Sequence, residues 1–150
     1  MISIKQQLYS RCLSFVHERI DTAQESIRAA QLSANEETKS SAGDKYETGR
    51  AMAQLEIEKN TFQLNESLKL KQTLEQIQVE HETETVRVGS LVHTSQGNFY
   101  LAISAGQFTI DNDIYFAISP ASPIGQKLMG LSKNEAFIFN KKEFLILHVS

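Results

Sequence analysis

Apolar residues recur at alternating steps of four and three over the first part of the chain, at Tyr9, Leu13, Val16, Ile20, Ala23, Ile27, Ala30 and Ala34. This is the heptad seam of a coiled coil, and such a seam must be buried against another helix. It predicts one long helix over residues 3–36. A rougher seam at Ala53, Ile57, Leu64, Leu74 and Ile77 predicts a second helix over 46–79, interrupted by Asn60 and Lys71. Leu55, Phe62, Leu68 and Leu70 lie partly outside that seam, and are expected to be covered by the N-terminal segment or by a second domain. Both prolines lie further on, at 120 and 123, so neither helix is broken by one. At a rise of ~1.5 Å per residue, each arm would reach ~50 Å. The first seam shrinks to alanines toward its end, where two helices could approach closely.

Between the two patterns stands Ser40-Ser41-Ala42-Gly43-Asp44-Lys45-Tyr46-Glu47-Thr48-Gly49-Arg50. Ser, Gly and Asp favour turns, because Gly tolerates positive φ and the short polar side chains compete for nearby backbone groups. A connection this short implies an antiparallel hairpin with its tip near residues 40–50. Two readings of the tip follow from spacing. Asp44 can cap the second helix with Glu47 three residues on, an acidic variant of the capping box. The same spacing sets two carboxylates together at an exposed end, where they could hold a divalent cation with ligands from a partner.

The helical period is lost over 80–89, which reads as a linker into a second domain covering 90–150. There the pattern changes to period two. Leu91-Val92-His93-Thr94 and the run from Asn98 to Ile103 flank Ser95-Gln96-Gly97, a hairpin signal. Further strands are expected at Phe108-Thr109-Ile110 and from Ile114 to Ile118. Ser122 as N-cap, Pro123 as first helical residue and Gly130 as stop mark one short helix. Two closing strands, at 136–139 and 143–149, complete a small antiparallel sheet. The fold class is therefore α+β: a helical hairpin followed by a sheet domain with one short helix.

Charge and composition narrow the function. The net charge is −3, with 10 basic against 14 acidic residues in 1–85 and 5 against 4 in 86–150. A generic nucleic-acid binder would need a strongly basic surface. Cys12 is the only cysteine, which leaves no intrachain disulfide or cysteine cluster for zinc, and it reads as a small apolar side chain near the helix interface. With no signal-peptide pattern at the start and no apolar run of membrane-spanning length, a cytoplasmic location is expected. His17, His81, His93 and His148 are scattered, none with a metal-ligand partner at helical spacing. His93 and His148 fall in strands and read as structural. No glycine-rich phosphate loop or serine nucleophile motif is present, so the chain is not expected to be an enzyme by itself.

Two segments then carry a family resemblance. Gly43-Asp44-Lys45-Tyr46-Glu47 resembles the Gly-Asp-x-x-Glu tip of the bacterial Gre-type transcript-cleavage factors. Ser119-Pro120-Ala121-Ser122-Pro123-Ile124-Gly125-Gln126-Lys127-Leu128-Met129-Gly130 resembles that family's Ser-Pro-(Leu/Ile)-Gly-x-x-Leu-(Leu/Met)-Gly segment, and Asn134-Glu135-Ala136 follows at about the family's spacing. The resemblance covers nearly the whole chain. After Glu47 it departs from the family: Thr48-Gly49-Arg50-Ala51-Met52 replaces a small polar, alanine-rich run ending in tyrosine, and Tyr46 precedes the glutamate.

The resemblance implies a transcription elongation factor that binds RNA polymerase. Its coiled coil would enter the polymerase secondary channel and stimulate cleavage of backtracked RNA. Asp44 and Glu47 would act in the polymerase active site, helping to hold an Mg²⁺ shared with the polymerase and absent from the isolated chain. Mg²⁺ prefers hard oxygen ligands, and a second metal can stabilise attacking and leaving oxygens. Lys45 and Arg50 are candidates for contact with the RNA, and Ser119, Pro120, Ser122 and Pro123 for docking on polymerase. The C-terminal domain would be FK506-binding-protein-like, without isomerase activity following from that. The free protein would be monomeric. Two rival readings stand beside this one: a secondary-channel regulator that does not stimulate cleavage, and a stand-alone coiled-coil interaction protein.

Overall fold

A computed structural model describes residues 2–39 and 44–150, with the side chains of 2–36 and 47–150. The elements in chain order are α1 (Ile4–Lys39), α2 (Asp44–Glu75), β1 (Leu91–Thr94), β2 (Gly97–Leu101), β3 (Gly106–Ile110), β4 (Asp113–Ile118), α3 (Pro123–Leu128), β5 (Ala136–Phe139) and β6 (Lys142–Val149). This is the α+β arrangement of a helical hairpin followed by a sheet with one short helix. No described helix is long and apolar enough to cross a membrane. The chain divides into two compact units, one of Val16–Lys71 and one joining the chain up to Phe15 with Gln72–Ser150.

In the first unit the two helices bury complementary seams. Val16, Ile20, Ala23 and Ala30 are buried on α1, with Ile27 and Ala34 half-buried between them. On α2 the buried positions are Ala53, Asn60 and Ser67, alternating with half-buried Ile57 and Leu64. The α2 seam thus keeps strict four-three spacing through a polar residue that looks like an interruption in the sequence. Asn60 stays inside it, its amide donating to Glu56 Oε1 at 3.3 Å. A polar side chain at one seam position fixes helix register at some cost in stability. Small Ser67 fills the next position, where close approach outweighs apolar area.

The surplus apolar residues of α2 are not covered. Met52, Leu55 and Phe62 are each about two-thirds exposed, and Leu68 is exposed as well. Only Leu70 is half-buried. The expected cover is missing because Leu55 and Phe62 lie on the side of α2 away from the Ala53–Asn60–Ser67 seam, at helical angles a partner on that seam cannot reach.

The second unit is built on a six-stranded sheet in the order β3-β4-β2-β1-β6-β5. Every neighbouring pair is antiparallel except β2 and β4, which are parallel. The expectation of a wholly antiparallel sheet fails there for a topological reason. After β2 the chain leaves the sheet through buried Ala102, Ile103 and Ala105, runs out along β3 at the edge, and returns in β4 beside β2. Tight turns at Asp111-Asn112 and Asn140-Lys141, with φ between 51° and 70°, join β3 to β4 and β5 to β6.

Alternation along the strands divides the sheet into two faces. Val92, Phe99, Leu101, Phe144, Ile146 and Val149 enter the main core with Val86 and Leu128, and Phe137 stacks on Phe144 at 4.9 Å between ring centroids. Tyr100 points to the other face and is wholly buried. Leu8, Cys12 and Leu74 are also fully buried in this unit, and Tyr9 donates its hydroxyl to the Leu74 carbonyl at 2.9 Å. The beginning of the α1 seam is therefore Leu8–Cys12, one residue from the expected Tyr9–Leu13, because here the helix is buried in the sheet unit.

Helix α2 ends at Glu75, short of the expected 79. Gln76 and Ile77 close it with tighter bonds to Thr73 and Leu74, typical of a last turn. The stretch 80–89 is not a free connection. Val86 lies in the core, donates its N–H to Leu131 and accepts from Gly130, while the Thr83 and Ser90 hydroxyls meet at 2.6 Å in a buried pair. What reads as a linker by its lost helical period is part of the sheet unit.

Candidate functional site

Helix α1 closes at Lys39 and α2 opens at Asp44, so both predicted carboxylates fall in the first turn of α2. Acidic groups there are favoured by the partial positive charge of a helix N-terminus. Glu47, Thr48 and Arg50 are exposed and Gly49 is half-buried. Gly43 and the side chains of Asp44, Lys45 and Tyr46 lie outside the described residues, as does the proposed cap by Asp44. Glu47 has the hard oxygen donors that suit Mg²⁺, but Mg²⁺ demands six ligands. Among the described residues, no group of three or more His, Cys, Asp or Glu gathers to hold a metal. The donor chemistry of Glu47 fits, and the second predicted donor, the Asp44 side chain, lies outside the described residues.

The predicted docking segment is a self-contained turn. Ser122 caps α3: its hydroxyl accepts from the Gly125 N–H at 3.1 Å and donates to the Ser119 carbonyl at 2.6 Å. Ser119 Oγ in turn accepts from Ala121 N–H, and Gln126 returns its amide to the Ala121 carbonyl at 2.9 Å. A Cβ on Gly125 would lie 2.1 Å from the Ser119 carbonyl oxygen, so only glycine fits beneath the turn. Gly130, at φ +86°, ends the helix as expected. The motif's serines and glycines are thus accounted for by local structure. Pro123 is exposed and Pro120 half-buried.

Other titratable groups divide into inert and accessible. Burial pushes the Cys12 thiol up to about 12, which suits the apolar reading and removes it as a nucleophile at neutral pH. Burial also raises the Tyr100 hydroxyl, with Cys12 and Tyr9 adding to the effect, and this hydroxyl is the one buried side-chain polar atom without a partner among the described residues. Lys5 is buried with its ammonium on the His81 carbonyl at 2.8 Å; desolvation lowers its pKa against the raising effect of Glu82 and Glu80. A cleft of about 410 Å³ lined by Gln76, Ile77, His81, Thr83 and Arg87 contains no tip or docking residue.

Two histidines that look scattered in sequence meet in the sheet. His93 on β1 is paired directly across from His148 on β6, with ring centroids 6.1 Å apart. His93 Nδ1 lies 2.8 Å from Asn98 Oδ1, and the edge of Tyr115 packs on its ring at 6.3 Å. Fifty-five positions separate the two in the chain, and only the β1–β6 pairing joins them, so no local spacing could have found them. Against protein-family models and against curated proteins, the chain matches none.

Proposed function

We propose that this chain is an RNA polymerase accessory factor of the Gre type, whose helical hairpin enters the polymerase secondary channel and stimulates cleavage of backtracked RNA. The observation that carries the reading is the location of Asp44 and Glu47 in the opening turn of α2, directly after the hairpin connection, with Glu47 exposed. A long paired helix ending in carboxylates is a device for delivering hard oxygen ligands into a narrow site. Mg²⁺, when held between these carboxylates and polymerase groups, would supply charge stabilisation for phosphodiester hydrolysis. The chain's own part is to reach and to present the carboxylates. Lys45 and Arg50 stand beside them as candidates for steering RNA phosphate. The turn at 119–122 together with exposed Pro123 is the candidate docking surface, and a cytoplasmic location goes with such a partner.

The test is RNA cleavage in a backtracked complex of the polymerase from the same organism, with polymerase binding measured in parallel. Asp44→Asn/Glu47→Gln is expected to lose on the order of 10²-fold in cleavage rate while binding is retained. Wild-type binding without cleavage would move the protein to the non-cleaving regulators. Absence of both would leave an interaction protein with a different partner.

A further inference from the structure

We propose that His93 and His148 form a two-imidazole chelate for a borderline transition-metal dication, Cu²⁺, Ni²⁺ or Zn²⁺, on the open part of the sheet. The site stands apart from the acidic tip in both residues and metal class, and does not depend on the function proposed above.

The first argument is proton placement. Asn98 Nδ2 donates to the Ile114 carbonyl at 3.3 Å, which fixes the orientation of the amide. Its Oδ1 is then the atom 2.8 Å from His93 Nδ1, and an amide oxygen only accepts. His93 Nδ1 must therefore carry the proton, which leaves the lone pair on Nε2. Histidine ligands commonly have this arrangement, with the far nitrogen donating to a fixed acceptor that sets tautomer and ring orientation. Tyr115, buried at the ring's side, holds His93 in place.

The second argument is distance. An ion ~2 Å from each Nε2 stands ~3.1 Å from each ring centre, so the centroids of a chelating pair lie roughly 4.5–5 Å apart at a right or tetrahedral angle at the metal. The pair here is at 6.1 Å with the ring planes 30° apart, about 1 Å more open than a closed chelate. His148 is exposed, and rotation of its side chain would close that gap on an ion that His93 holds.

The third is the backbone. The β1–β6 register shifts between His93 and Thr94, so Thr94 pairs with Ile146 while His93 pairs with His148. Leu147 and His148 both fall between inward-facing Ile146 and Val149, and both are exposed. This bulge delivers the second imidazole to the face of the first, as bulges do where a side chain is re-aimed.

Two imidazoles leave the remaining positions to water or to a ligand from outside. Imidazole suits Cu, Ni and Zn and not Mg²⁺. Calorimetric titration of the full chain with each dichloride salt is expected to give one site, tightest for Cu²⁺, with no heat from Mg²⁺ at the same concentration. His148→Ala and His93→Ala should each weaken Ni²⁺ binding at least ~10-fold, and Asn98→Ala by ~10–100-fold, through loss of the partner that orients His93. Circular dichroism checks that each variant is folded; His148, being exposed, serves where a His93 change disturbs the sheet. The electron paramagnetic resonance spectrum of the Cu²⁺ complex should show two coupled nitrogens. Wild-type affinity in the folded His148→Ala protein would overturn the proposal. So would a one-nitrogen spectrum, or binding that survives unchanged in His93→Ala/His148→Ala, where His17 and His81 alone remain.

Discussion

The hairpin unit and the sheet unit solve burial in opposite ways. In the hairpin, the seam of α2 holds Asn60 and Ser67, while Met52, Leu55 and Phe62 face water. In the sheet unit, aromatic and branched residues fill the inside, and Phe99, Phe137 and Phe139 surround Phe144. The contrast teaches where each unit keeps its constraints. A hairpin with a narrow, small-residue seam owes its form largely to backbone hydrogen bonding and register, and its surface is open to selection for contact. The sheet unit owes its form to jigsaw packing, and a sequence motif inside it can be fully occupied by structure.

The sharpest way to break this comparison is to delete one phenyl ring in each unit. Phe144→Ala is expected to cost ~3–5 kcal/mol of stability in urea denaturation. Phe62→Ala should stay within ~0.5 kcal/mol, because its ring leaves no cavity. Equal effects would mean that the exposed face of α2 is covered after all. Next comes Gly125→Ala, expected to cost ~2–3 kcal/mol by the same measurement, since a Cβ would press on the Ser119 carbonyl and displace the turn. A neutral outcome would free the motif from its structural role and strengthen docking as its reason.

Asn60→Leu turns the comparison the other way. Giving the hairpin an apolar seam should raise its melting stability by about 1 kcal/mol and loosen its register, seen as new pairings in cysteine cross-linking across the two helices. The smallest effect concerns pH. The Cys12 thiol, ordinarily near 9.0, is held up to about 12 in the fold. The folded state thus favours the neutral thiol. Its contribution is fully present below pH 9 and is lost as pH rises toward about 12. Cys12→Ala should flatten that part of the stability curve, read from urea midpoints at pH 8 and pH 10.

Much of the architecture was legible because its signals are local. The four-three spacing on α1, the Ser122–Pro123–Gly130 punctuation of α3 and the turns at Asp111-Asn112 and Asn140-Lys141 each follow from residues a few positions apart. Three features were not. Asn60 looks like a break because polarity hides the periodicity it shares with Ala53. The segment at 80–89 looks free because Val86 reaches the core through distant Gly130 and Leu131. The parallel β2–β4 pair and the meeting of His93 with His148 depend on strand order, which alternation within a strand cannot encode. At the tip, sequence supplied two carboxylates and their spacing, and the structure adds that both fall in the first turn of a helix.

The position of β6 between β1 and β5 has a consequence for biosynthesis. A ribosome emits β1 and β2 some forty residues before the strand that must lie beside β1. The hairpin, whose pairings join neighbouring helices, can form meanwhile. The sheet cannot, because Ile146 and Val149 are part of the core into which Val92 and Phe99 turn. For that interval β1 offers an unpaired edge and the nascent domain shows its apolar side. A translational pause before residue 142 would prolong this state, making the late codons of this chain the ones on which clean folding of the sheet depends.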